Sequence, residues 1–240
     1  MAGVDADAGT WLRIADGVLV RRYAELDQTL GLVTGTRACL VVDTGRDEHH
    51  GYEFAAAVRE VTGLPWQVVI THAHFDHFLG TAAFAPCPVW AHARCPGAIA
   101  ATDRPQRERW AAHYRDQGRP AAAAALEAAA TVLPSRLLTG ATELDLGQRT
   151  VTLIHPGRGH TDHDVIVHVP DTGVVFAGDL VEQGAPPSVG EDSWPDEWPA
   201  ALETILALGP AVVVPGHGDP VDRAFVERQR AWVVREASGA

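Results

Sequence analysis

Four apolar runs in this 240-residue chain end alike. "WQVVIT" runs into His72, His74, Asp76 and His77, "TVTLIHPGRG" into His160, "GVVFAG" into Asp179, and "AVVVPG" into His217. Short continuous apolar runs of this kind read as strands buried on both faces. Each therefore delivers at least one ligand-type side chain in the turn that follows it. In layered α/β proteins such strand ends converge on one edge of the sheet, and sites gather there. Glycines beside these positions, Gly157, Gly159, Gly178, Gly216 and Gly218, let the backbone turn tightly enough to aim them.

Seven imidazoles and carboxylates are too many for one zinc, which takes three or four ligands. They suit two metals about 3.5–4 Å apart that share a carboxylate. Nitrogen and carboxylate oxygen without thiolate favour zinc, with iron or manganese as alternatives.

The rest of the chain frames this cluster. "GVLVRRY", "TLGLVTG" and "RACLVVDTG" read as a β-meander. A helix follows over "DEHHGYEFAAAVREVTG", capped by Asp47 and stopped by Gly63. A second helix is expected over "SWPDEWPAALETILAL", with Ser193 and Asp196 as its capping box and Trp194, Trp198, Leu202 and Ile205 on one stripe. Phe225, Val226, Trp232 and Val233 mark a closing helix. Strands and helices in both halves imply two packed sheets with helices outside, in a single domain over 1–240. Residues from about 94 to 138 break the pattern, as a helical insertion that either packs on the surface or covers a pocket.

The formal charge of −12 excludes nucleic acid and anionic membrane surfaces as natural partners. No run approaches the roughly 20 apolar residues of a membrane span. The N-terminus lacks the basic and apolar regions of a secretory signal. A cytoplasmic protein is expected, with Cys39, Cys87 and Cys95 reduced and a small molecule as its partner.

The ligand motifs, in order, resemble those of the metallo-β-lactamase superfamily: H-x-H-x-D-H as "HAHFDH", G-H-T as "GHTDHD", G-D as "AGD", and the final histidine as "PGHG", with "VVDTG" similar to the strand before the family's first helix. The resemblance runs from about residue 18 to 220. It implies a four-layered αβ/βα sandwich and a two-zinc hydrolase. His72, His74 and His160 would hold one metal and Asp76, His77 and His217 the other, with Asp179 bridging. Asp43 would orient the metal-binding loop. Two metals acidify a shared water to hydroxide near neutral pH, which attacks a carbonyl or phosphoryl group; Asp76 would also accept or relay a proton.

Among substrates, the thioester, ester or lactone class is favoured, with a β-lactam the alternative. Glyoxalase II-like relatives carry a histidine where Asp164 stands and a further C-terminal helical domain. The dizinc β-lactamases place cysteine at Asp179 and a carboxylate-binding lysine at Glu182. Iron persulfide dioxygenases share the first motif, and a non-catalytic metal-binding module is the least favoured reading. Glu182 is expected to face substrate and repel anions, since two like charges at ~4 Å cost about 4 kcal/mol at an effective dielectric of about 20. The remaining histidines divide as follows: His49, His50 and His113 solvated, His155 and His168 packed in strands, His92 and His163 candidates to approach the site.

Overall fold

The computed structural model of the chain describes residues 8–237. Seven strands form the first sheet in sequential order: β1 (Thr10–Ala15), β2 (Val18–Arg22), β3 (Thr29–Thr34), β4 (Cys39–Val42), β5 (Trp66–Val69), β6 (Val89–His92) and β7 (Arg136–Leu138). β1 to β4 are the expected meander with one strand added, and β4 to β7 run parallel. The second sheet holds β8 (Ala141–Asp145), β9 (Thr150–Ile154), β10 (Ile166–Val169), β11 (Val174–Glu182) and β12 (Val212–His217). It is antiparallel except for the β11–β12 pair. The helices are α1 (Glu48–Val61), α2 (Phe75–Phe78), α3 (Cys95–Asp116), α4 (Pro120–Ala128), α5 (Trp198–Ala207) and α6 (Arg223–Ala237).

Three apolar clusters define four layers. Because successive side chains in a strand point to opposite faces, Leu40 and Val42 join the cluster between the sheets, while Cys39 and Val41 join the one under the helices. The inner cluster interleaves Val20, Val33 and Val69 with Leu153, Val167 and Phe176. The first outer cluster packs Phe54 and Val58 of α1, Ile99 and Tyr114 of α3 and Leu126 of α4 on the first sheet. The second packs Trp198, Leu202 and Ile205 of α5 and Val226 of α6 on Val175, Ala177 and Val213. The alternation of β11 shows the logic, with Val174 and Phe176 facing inward and Val175 and Ala177 outward. Helix, sheet, sheet, helix is the expected sandwich.

Several local expectations change. Asp47 caps α1 through its bond from the His50 N–H at 2.9 Å, as expected. α5, however, begins at Trp198 with no side-chain cap, because Ser193 is engaged elsewhere: its hydroxyl bonds the His160 carbonyl at 2.9 Å. Trp194 accordingly leaves the apolar stripe and is exposed. β1, β7 and β8 were not anticipated, and β7 corrects the helical reading of 94–138 at its end; all three are sheet-edge strands with few buried residues, so they carry no continuous apolar run. Asp179 lies inside β11 rather than in a turn after it, and His217 is the last residue of β12. The three cysteines are free, and no helix among the described residues is long and apolar enough to cross a membrane.

Candidate metal centre

The parallel strands of both sheets end at one rim, and the ligand-type side chains meet there in two groups. His72, His74, His160 and Asp179 form one; Asp76, His77 and His217 form the other, with ligand atoms within 4.8 Å of one another in each. His74 Nδ1 lies 3.0 Å from His72 Nε2 and 2.9 Å from His160 Nε2. Asp179 faces both groups: Oδ2 is 3.7 Å from His72 Nε2 and from His160 Nε2, and 3.3 Å from His217 Nε2. His217 Nε2 is also 3.3 Å from Asp76 Oδ2.

In every one of the five histidines, one ring nitrogen is tied to an oxygen outside the cluster and the other points into it. His72 Nδ1 donates to Thr71 Oγ1 at 3.0 Å, and His77 Nδ1 to Asp43 Oδ2 at 2.8 Å. His160 Nδ1 donates to the Ser188 carbonyl at 3.1 Å and His217 Nδ1 to the Leu26 carbonyl at 2.7 Å. His74 is turned over, with Nε2 on Asp192 Oδ2 at 3.0 Å. Such outer partners fix the ring orientation and leave the inner nitrogen's lone pair for a cation. Asp43 also accepts from Thr71 N and Thr71 Oγ1, at 2.7 and 2.8 Å, from a backbone at φ +59. It therefore holds both ends of the 71–77 segment, and a non-glycine residue keeps that conformation only where its surroundings enforce it.

The donor set fits a metal pair. His77 Nε2 and Asp179 Oδ1 are buried, 3.3 Å apart, and neither has a hydrogen-bond partner. An unsatisfied buried polar atom costs about 1–3 kcal/mol, and a cation between them would satisfy both. Protonation points the same way. Burial lowers His160 to about 3 and His72 well below its usual range. Asp76 sits at about 2, where burial pushes it up but His77 and His217 outweigh that. For His77 and His217 burial pushes down, and the facing carboxylates, Asp179 foremost, hold both well above the ordinary imidazole range.

Two glycines make the packing possible. Gly178, at φ +54, lets β11 twist so that Asp179 faces the rim. At Gly216 a Cβ would lie 1.9 Å from Asp179 Oδ1, so β12 passes the carboxylate with only a hydrogen's clearance.

Other expectations fare differently. His163 does reach the site, accepting from the Ala73 N–H at 3.0 Å. His92 does not, and stacks on His155 at 4.1 Å between ring centroids. His50 is a correction: it is only 5% exposed, its ring 4.1 Å from that of Tyr23, because the first turn of α1 faces the sheet. His49 and His113 are exposed. Asp164 is buried and accepts from Thr161 N and Oγ1, so it shapes the loop carrying His160. Glu182 does not present its carboxylate to the cleft freely. It is 5% exposed and accepts from Ser188 N at 2.7 Å and Ser188 Oγ at 3.0 Å. Burial, with Asp179 nearby, raises it to about 7, so much of its repulsion of anions is removed.

Part of the expected insertion lines the pocket. A cleft of about 970 Å3 opens over the ligand-type side chains, and Thr102, Pro105, Gln106, Arg109 and Trp110 of α3 line it. Gln106 was not foreseen: it accepts from Phe75 N at 2.8 Å and donates to the Ala73 carbonyl at 2.9 Å, gripping the backbone on both sides of His74. Ser188, Asp192, Leu26 and Gln28, which donates to the Asp76 carbonyl, were also missed. All four sit in loops distant in sequence from the ligands they orient, with no periodicity to reveal them.

Comparison with known proteins agrees with this geometry. A model of the metallo-beta-lactamase superfamily matches residues 25–217. The chain is 27% identical over 202 residues to a metallo-beta-lactamase type 2 of Bacillus cereus, spanning 82% of this chain and 69% of that protein. It is 29% identical over 162 residues to an acyl-coenzyme A thioesterase of Gallus gallus, spanning 64% and 57%. A solved metallo-beta-lactamase from Pontibacter korlensis superposes with a TM-score of 0.73 at 19% identity, covering 94% of this chain and 99% of that one.

Proposed function

The chain belongs to the metallo-β-lactamase superfamily, and from that premise we propose that it is a two-zinc hydrolase of carbonyl substrates in the thioester, ester or lactone class. The observation that carries the reading is the meeting of seven ligand-type side chains in two groups that share Asp179. His72, His74 and His160 would hold one metal, and Asp76, His77 and His217 the second. Bound metal supplies Lewis-acid polarisation of the scissile carbonyl and acidification of water.

The chain's own residues supply the rest. Asp179 keeps the two ligand groups in register. Asp76, ionised at neutral pH, offers an acceptor oxygen on the cleft wall for a proton in transit. Ser188, Asp192, Asp43, Thr71 and Leu26 fix the imidazole orientations, so little reorganisation is needed on reaction. Phe75 and Trp110, stacked at 4.7 Å, give the cleft an apolar surface suited to an acyl chain. A β-lactam is the second reading, favoured by the Bacillus cereus relative. Against it stand Asp179 and Glu182, at the positions where the dizinc β-lactamases carry cysteine and lysine. A hydrolysis panel of thioesters, lactones, β-lactams and phosphodiesters on zinc-loaded protein tests the reading. Turnover of a thioester, ester or lactone is expected; turnover of β-lactams alone would replace the substrate class, and no turnover of any would overturn the reading.

Two further outcomes follow from the same geometry. Asp43→Ala strips acceptors from Thr71 N and His77 Nδ1, and should weaken metal affinity by about 10–100-fold, as read by competition with a chromogenic chelator. Acidification should remove the metals in sequence. In the metal-free chain His77 and His217 hold protons with their carboxylate partners, whereas buried His72 and His160 stay neutral. Ligation requires deprotonated imidazole, so falling pH favours the protonated form of His77 and His217 first. Below about pH 6 activity should fall with loss of the metal of that group. Metal content after dialysis at stepped pH checks this; simultaneous loss of both metals would contradict it.

A further inference from the structure

The cleft is lined by five carboxylates, Asp76, Asp179, Glu182, Glu191 and Asp192, and by a single arginine, Arg109. The chain has no lysine at all; its 19 basic residues are all arginine. Arg109 differs from its neighbours. The other arginines of α3 are each paired: Arg104 with Glu108, Arg107 with Asp103, and Arg115 with Glu127. At the start of α4, Arg119 is paired with Glu25. Among the described residues Arg109 has no carboxylate partner and is exposed.

Its position is fixed from within. Gln106, which holds the Ala73 carbonyl and the Phe75 N–H, is three residues earlier on the same helix. Residues three apart share a helix face and are separated by about 4.5 Å along the axis. Arg109 thus stands roughly one turn from the residue that grips the His74 segment. Trp110, the next residue, has its ring 4.7 Å from that of Phe75, and both line the cleft with Arg109. The cleft lining thus holds ligand-type side chains, an aromatic pair and one guanidinium.

We propose that Arg109 is a specificity-determining residue that receives an oxyanion, carboxylate or phosphate, at the end of the substrate remote from the scissile carbonyl, with the intervening apolar segment lying on Phe75 and Trp110. Guanidinium presents paired donors that match either oxyanion bidentately. Glu182 does not oppose this: its carboxylate is turned onto Ser188, from which it accepts two hydrogen bonds. The inference rests on the hydrolase reading, because it needs a substrate in this cleft.

The test is kinetic, on zinc-loaded wild type, Arg109→Ala and Arg109→Lys. The substrates are the pentanoyl and glutaryl thioesters of N-acetylcysteamine, which differ by a terminal carboxylate, and pentanoyl-coenzyme A, which places phosphates on the thiol side. If Arg109 receives an acyl-chain carboxylate, Arg109→Ala should lower the glutaryl-to-pentanoyl ratio of kcat/KM at least about tenfold, through KM, with Arg109→Lys recovering part of it. If it receives a phosphate, the ratio of coenzyme A to N-acetylcysteamine pentanoate falls instead. Both ratios unmoved by Arg109→Ala would overturn the proposal. Should the wild type hydrolyse no thioester, the thioester reading fails separately, and calorimetric binding of glutarate and of 3′-phospho-ADP decides the assignment. Weakening of either by about tenfold in Arg109→Ala supports it, and equal binding of both by the two proteins overturns it.

Discussion

Replacing Asp179 with alanine is expected to reduce bound zinc from two per chain to one or fewer, and to lower hydrolysis by about 10²–10³-fold or more. The carboxylate reaches both groups, at 3.7 Å from His72 and His160 through Oδ2 and 3.3 Å from His77 through Oδ1. In the proposed two-metal site its charge would also offset the mutual repulsion of two dications. Asp179→Asn keeps the shape and loses the charge. That variant should retain the fold, as read by circular dichroism, yet bind metal nearly as poorly as alanine. Unchanged zinc content in both variants would remove Asp179 from the bridging position.

A single methyl group should do comparable damage at Gly216. Its Cβ would arrive 1.9 Å from Asp179 Oδ1 and 3.0 Å from the Gly178 carbonyl carbon, where one neighbour is backbone and the other is the shared ligand. Neither gives way without moving β11 against β12. Overpacking of this kind typically costs about 1–3 kcal/mol of stability, and here the displaced atom belongs to the proposed bridging carboxylate. Gly216→Ala should therefore lose zinc and activity while remaining folded, with Tm lowered by several degrees. Gly209→Ala is a useful contrast, since a Cβ there meets nothing within 4 Å, although its φ of +62 still strains the chain. It should lose some stability and keep its zinc. Full zinc content in Gly216→Ala would show that the β11–β12 rim tolerates what this packing forbids.

The parts of the fold legible in the sequence share one physical cause. β4, β5, β11 and β12 are buried on both faces, so their apolar runs are continuous, and polar residues at their ends stand out. Those residues are the ones that converge. β1 and β8, each at a sheet edge, bury few of their side chains and left no comparable trace. Asp179 looked like a turn residue because Gly178 precedes it, yet the strand continues through a register irregularity to Glu182. The outer partners were illegible for another reason. Leu26 contributes a carbonyl, as does Ser188, and a backbone oxygen has no sequence signature. Asp192 and Gln106 act through side chains, but from a loop and a helix whose distance from His74 in sequence is 118 and 32 residues. Ser193 read as a helix cap because its spacing allowed it, and in the folded chain its hydroxyl is committed to the His160 carbonyl instead.

In the proposed site, seven side chains would hold two metals and share one carboxylate between them. Anomalous diffraction from crystals of the zinc-loaded protein, recorded on both sides of the zinc edge, tests it most directly. Two peaks are expected, one among His72, His74 and His160 and one among Asp76, His77 and His217, each in contact with Asp179. One peak only at full zinc loading, or peaks that leave Asp179 untouched, would contradict it.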